Sequence, residues 1–169
     1  YQVYNKIFNL PMTVVMLVTT SLWSTLTKAK AENDWEWIQA SYGKYMKIAF
    51  LLGVAEFAVI VPLQWIFNFW LGDKTITVNY GIAAIFALSG TVMSLRTILA
   101  NYSNGLCELR VQTIYMTIGA VINIPLAYAF SRISGSYISI VLANIISMAP
   151  YCIAQMVWCR KCFKARVKQ

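Results

Sequence analysis

Glu56 is the only acid of this 169-residue chain inside an apolar run, and Arg96 is the only basic residue well inside a central one. An unpaired charge in hydrocarbon costs from about 3 to more than 10 kcal/mol, so both positions need a physical reason. Two kinds of reason fit. In the structural one, Glu56 and Arg96 pair, or Arg96 reaches alone to the membrane edge along its own stem. In the functional one, Arg96 faces a cavity and offers its planar fork of donors to an anionic substrate. Glu56 then positions it, or binds H+ or Na+.

Other residue types with reactive potential do not assemble. The chain has no His, no Gly-x-Ser-x-Gly and no phosphate-cradling Gly loop. Glu32, Asp34, Glu36, Asp73 and Glu108 form no constellation with a base, so no enzyme activity is expected. Cys159 and Cys162 have metal-like spacing, but there is no second pair, and tetrahedral zinc needs four ligands. Cys107 and Cys152 complete the cysteines. We expect reduced thiols, no metal and no cofactor.

The elements that must position Glu56 and Arg96 are five apolar runs, at 3–23, 47–67, 77–99, 111–131 and 137–158. About 20 helical residues rising 1.5 Å each cross a hydrocarbon core of ~30 Å. With 59% hydrophobic and 12% charged residues, the expected fold is all-α. It is a single polytopic transmembrane bundle over 1–169. Glu56 then sits about 14 Å from one membrane edge, and Arg96 one to two turns from the same edge. Their spans are sequential and antiparallel, and Arg has the reach to close that gap.

Charge sets the orientation. Lys28, Lys30, Lys44 and Lys47, then Arg110, then Arg160, Lys161, Lys164, Arg166 and Lys168 fall on one face. Leaving out Lys6 and Arg96 within the spans, only Lys74 and Arg132 fall on the other, in the connections 68–76 and 132–136. The positive-inside rule makes the basic face, with the tail 159–169, cytoplasmic. Basic residues at span ends set orientation, so the net charge of +8 does not indicate nucleic acid. No signal-peptide pattern opens the chain. An odd number of spans puts the two termini on opposite sides and suggests a fragment whose upstream spans are missing.

Segment 25–46 is the one sizeable polar insertion. Trp35 and Trp37 alternate with Glu32, Asp34 and Glu36, and Asp34 can cap a helix beginning at Trp35. This predicts a short helix lying in the plane of the inner leaflet and leading into the second span. Within the spans, polar residues recur at helical spacing. Asn5, Asn9, Thr13, Thr20 and Ser24 share a face of the first span, which Pro11 is expected to bend. Ser89, Met93 and Arg96 share one in the third, and Asn144, Ser147, Tyr151 and Gln155 one in the fifth. Gln64 follows Glu56 on the second, beyond Pro62, and Asn123 and Pro125 mark the fourth. Such faces either pack against neighbouring helices or line a wet cavity.

Longer motifs resemble a known family. Tyr1-Gln2-Val3-Tyr4-Asn5-Lys6-Ile7-Phe8, Leu22-Trp23, and Ala31-Glu32-Asn33-Asp34-Trp35-Glu36-Trp37-Ile38 resemble the middle of bacterial polysaccharide (O-antigen, Wzx-like) flippases. These belong to the superfamily that includes MATE-type multidrug exporters. Asn104-Gly105 through Arg110-Val111-Gln112 resembles the family's Asn-Gly turn. Asn123-Ile124-Pro125-Leu126, with Gly135 after it, resembles its Asn-x-Pro-Leu span and Gly-containing connection.

The resemblance covers nearly the whole chain. It implies the C-terminal half of a two-bundle, alternating-access transporter in the bacterial inner membrane. The cargo would be a lipid-linked (undecaprenyl-pyrophosphate) oligosaccharide, moved from the cytoplasmic to the outer leaflet. Arg96, and secondly Lys6, would match the family's lumen-facing basic residues. Asn123, Asn144, Tyr151 and Gln155 are further substrate-path candidates, and Glu56 is the candidate for ion coupling. Membrane lipid is the surrounding partner. A cation-coupled multidrug exporter on the same fold and a non-transporting membrane scaffold are the alternatives.

Overall fold

The computed structural model describes residues 2–72 and 77–167. Tyr1 of the opening motif, Lys74 in the 68–76 connection and Lys168 in the tail lie outside the described residues. The described residues form eight helices: α1 (Gln2–Phe8), α2 (Leu10–Thr19), α3 (Leu22–Ala31), α4 (Trp35–Val59), α5 (Leu63–Leu71), α6 (Tyr80–Gly105), α7 (Arg110–Ser134) and α8 (Ile138–Arg166). Helices α6, α7 and α8 are each long and apolar enough to cross a membrane. Two bent pairs meet the same test together, giving up to five spans.

The first apolar run is a stack of three pieces. An interruption at Asn9 puts Pro11 in the first turn of α2. There a proline's missing N–H leaves no bond broken. The 41° bend comes later, between Thr19 and Leu22, so the bend expected at Pro11 is displaced by two to three turns. The second run breaks at Ile60–Pro62, where the axis turns by 72° into α5. The span expected over 47–67 is therefore two helices, and Gln64 leaves the face of Glu56. On α5 its amide donates to Asn68 Oδ1 and its carbonyl accepts from Val78 N, both at 2.8 Å.

Segment 25–46 also differs from its expected form. Helix α3 continues to Ala31, a turn with Asn33 at φ 57° reverses the chain, and α4 starts at Trp35. Asp34 caps α4 as the sequence predicts, its carboxylate accepting from Trp37 N at 2.9 Å. Nothing after the cap stops the helix, so it runs straight through to Val59 in place of a separate in-plane helix. The tail behaves likewise: α8 extends unbroken to Arg166. Arg166 lies over the ring of Trp35 at 5.3 Å, tying the end of α8 to the start of α4.

Helix α6 is the hub, packing on α1, α2, α3, α4 and α8, while α7 packs on α8. Gly119 permits that last approach: a Cβ there would lie 2.6 Å from the Ser147 carbonyl oxygen. The core has two layers. One is built on Tyr4, Phe8, Phe67 and Phe86 near the α6 N-terminus. The other is built on Leu26, Ile38, Tyr42, Tyr102 and Phe163 toward the tail. Large apolar side chains such as Leu17, Phe50, Ile124 and Ile133 are exposed along the outside, as hydrocarbon requires.

Candidate functional site: a polar cleft and a buried carboxylate

Two sites flank α6. The first is a cavity of about 200 Å3 between α1, α6 and α8. Asn5 of α1 and Asn9, at the interruption between α1 and α2, enter it one turn apart, joined by an Asn9 Nδ2 to Asn5 Oδ1 hydrogen bond of 2.8 Å. Ser89 and Met93 line it from α6, and Asn144 from α8. The polar faces of the first, third and fifth apolar runs thus converge on one space. Arg96 lies one turn beyond Met93, its Nη1 3.9 Å from the Met93 sulfur. The guanidinium Nε is buried without a hydrogen-bond partner. Its charge is within electrostatic reach of Tyr151 and Cys152 on α8.

The second site holds Glu56, only 2% exposed. Its Oε2 accepts from Thr91 Oγ1 at 2.8 Å, and its Oε1 has no partner. Gly90 makes the notch for this carboxylate. A Cβ there would lie 2.8 and 2.9 Å from the two carboxylate oxygens and 2.5 Å from the Phe8 carbonyl oxygen. Beside it a cavity of about 430 Å3 is lined by apolar side chains, including Phe8, Pro11, Leu52 and Val59, with Glu56 as its one ionisable group.

Glu56 and Arg96 form no ion pair. The reason is helical phase. Thr91, which holds Glu56, and Arg96 are five positions apart on α6, about 140° around a helix of 3.6 residues per turn. Thr91 meets α4, whereas Arg96 turns toward α8. Sequence depth placed the two charges at neighbouring levels, but level alone does not choose a side of the intervening helix.

The other sequence-selected residues are dispersed. Lys6 is exposed, with its Nζ 6.0 Å from the centre of the Trp70 ring on α5, away from the cleft. Asn123 is half-buried on α7, its Oδ1 unpartnered. Tyr151 and Gln155 are fully buried one and two turns past Ser147 on α8. The Tyr151 hydroxyl stands near Ser103 without hydrogen-bonding geometry. Gln155 donates to the Cys159 sulfur at 3.6 Å. Among the described residues no three His, Cys, Asp or Glu side chains cluster as metal ligands, and all four cysteines are free thiols.

Three contributors were not selected from sequence: Gly90, Thr91 and the Phe8 carbonyl. Thr91 looks like an ordinary apolar-helix threonine, its hydroxyl also lying 2.9 Å from Ala87 O, so that its one proton is shared between that carbonyl and Glu56. A signal did exist in the adjacent Gly90-Thr91 pair, since small residues mark close helix approach.

No curated protein and no solved structure matches the chain. The model of the MatE family matches residues 1–129, from α1 into α7. That region includes the hub helix, the Glu56 notch and the α1 and α6 walls of the cleft. With a match over most of its length and an all-helical bundle carrying up to five apolar spans, the chain belongs to the MatE family of membrane transporters.

Proposed function

We propose that this bundle is half of an alternating-access flippase for an undecaprenyl-pyrophosphate-linked oligosaccharide. It would work in the bacterial inner membrane, with the α8 end on the cytoplasmic side. The observation that carries this reading is the composition of the cleft. Asn5, Asn9, Ser89 and Asn144 supply amides and a hydroxyl, and among the described residues no carboxylate lines the cleft. Amide and hydroxyl groups both donate and accept, as sugar hydroxyls require. Arg96 at the cleft's end offers the donors that suit a pyrophosphate. A lumen built for organic cations would instead place its acid there, whereas Glu56 lies on the other side of α6. The lipid tail stays in the bilayer while rocking of two bundles switches access. Glu56, with one free oxygen close to the Phe8 carbonyl, is the group we assign to coupling with H+ or Na+.

Surface-glycan complementation tests the reading. A flippase-null bacterium receives the full-length gene, wild type beside Asn5→Leu/Asn144→Leu. Restored glycan that the double variant loses, at equal membrane protein level, is the expected result. Restoration by both removes the cleft from the path. Undiminished gradient-dependent transport by Glu56→Gln removes the coupling assignment.

One observation favours a second reading, a cation-coupled multidrug exporter. The apolar cavity of about 430 Å3 with a single buried carboxylate would suit a lipophilic cation. It predicts drug efflux by the full-length protein that is lost with Glu56→Gln and indifferent to the Asn5/Asn144 change.

A further inference from the structure

We propose that a pocket between α4 and α8, at the tail end of the bundle, holds the phosphate headgroup of an anionic membrane lipid. This site shares no residue with the cleft or the Glu56 notch, and it rests only on the chain being a membrane bundle. The pocket has a volume of about 380 Å3. Gln39, Tyr42 and Gly43 line it from α4, and Arg160, Phe163 and Lys164 from α8.

Its charge is uncompensated. Arg160 and Lys164 are four residues apart and so share a face of α8. Among the described residues neither has an ion pair. The acids at this end are engaged elsewhere: Glu32 with Lys28 at 3.8 Å, Glu108 with Lys30 at 3.9 Å, and Asp34 in its cap. Glu36 is exposed in the first turn of α4 and pairs with neither. Arg160 and Lys164 are both exposed, and basic pockets between membrane helices are sites for anionic headgroups, because two cations on one helix face at the membrane edge attract phosphate.

A second observation points to a ligand independently. The Tyr42 ring is wedged edge-on against Tyr102 and Phe163, both at 5.3 Å, and the residue is only 7% exposed. Its hydroxyl nevertheless has no hydrogen-bond partner, and it lies within electrostatic reach of the buried Cys159 and of Arg160. A buried hydroxyl left unpaired is costly, and a headgroup entering beside Arg160 would satisfy it after a small side-chain shift that uncovers it. Gly43 keeps the floor clear, with no atom within 4 Å of where its Cβ would be.

The surroundings distinguish a lipid from a free anion. Met46, which also lines the pocket, continues into an adjoining cavity beside Lys47, Phe50 and Leu51. Phe50 and Leu51 are 72% and 64% exposed, forming an apolar lane along α4 that an acyl chain would cover. Headgroup and tail therefore have adjacent places in the order in which a lipid presents them.

The test uses full-length protein in detergent, read by native mass spectrometry and thermal unfolding. Phosphatidylglycerol is compared with phosphatidylcholine of the same acyl chains and with inorganic phosphate. We expect one tightly held phosphatidylglycerol and a raised unfolding temperature. Arg160→Gln/Lys164→Gln should weaken binding about thirtyfold, from two lost cations near the surface. Tyr42→Phe should weaken it about threefold. Lys161→Gln, which removes an exposed cation of the same helix outside the pocket, should leave it unchanged. Equal effects of phosphatidylcholine or inorganic phosphate on the wild type would overturn the proposal. So would an equal loss in Lys161→Gln and the double variant. The headgroup contrast on the wild type and the Tyr42→Phe result stand even if the double variant does not fold.

Discussion

Glu56 on α4 and Thr91 on α6 are joined by a 2.8 Å hydrogen bond, the only one the carboxylate makes among the described residues. Mutation of either residue therefore changes the environment of the other. Thr91→Val keeps the shape and removes the donor, and should destabilise the bundle by about 1–3 kcal/mol, the cost of stranding a buried polar group. Glu56→Gln presents an amide to the same hydroxyl. A double-mutant cycle by thermal unfolding in detergent should return a coupling of about 0.5–3 kcal/mol. Strict additivity would mean that the pair contributes nothing jointly.

Gly90 makes a steric prediction with an internal control. Gly90→Ala puts a methyl 2.5 Å from the Phe8 carbonyl oxygen, a backbone atom that cannot swing aside. Overpacking of this kind costs about 1–3 kcal/mol. Gly43→Ala meets nothing within 4 Å on a regular helix and should be neutral or stabilising by up to about 1 kcal/mol. Unfolding temperatures of the two variants should therefore move in opposite directions or differ clearly in size.

Arg96 separates charge from geometry. Arg96→Ala should lower surface glycan in the complementation assay by about tenfold or more, the size expected for a lost charge-assisted hydrogen bond. Arg96→Lys keeps the charge and loses the fork, so it should fall between the two. Equal glycan in all three proteins, at matched membrane level, would return Arg96 to a structural role.

The cysteines give a chemical readout of the bundle. Cys107 is exposed in the turn after α6, whereas Cys152 and Cys159 are buried. A maleimide near neutral pH should label Cys107 about tenfold faster or more than those two. The same label reports orientation: an impermeant maleimide should reach Cys107 in inside-out vesicles and not in intact cells if the α8 end is cytoplasmic.

Much of the cleft's polar lining was legible in the sequence, although of the residues singled out there for a substrate path only Asn144 lines it. Polar residues repeating every three or four positions identified the faces of Asn5 and Asn9, of Ser89 and Met93, and of Asn144, and these meet at one cavity. Asp34 was readable as a cap because capping is local. What remained hidden depends on helix order in space. Thr19 lies off the polar stripe of its own run, yet its hydroxyl accepts from Asn101 on α6 at 2.8 Å. Glu56 and Arg96 looked like partners because depth is computable from spacing, whereas the side of α6 that each approaches depends on the packing of α1, α4 and α8. The 72° turn at Pro62 was readable as a weak point but not as an angle, since the angle is set by where α5 packs.

The continuity of α4 from Trp35 to Val59 makes it a lever. Trp35 lies 21 positions before Glu56, about 32 Å along a rigid helix, so a 10° tilt pivoting at the carboxylate sweeps the tryptophan through about 5.5 Å. Arg166 is clasped over that ring. A displacement too small to empty the notch at Gly90 would be amplified at the far end into a pull on the last turn of α8.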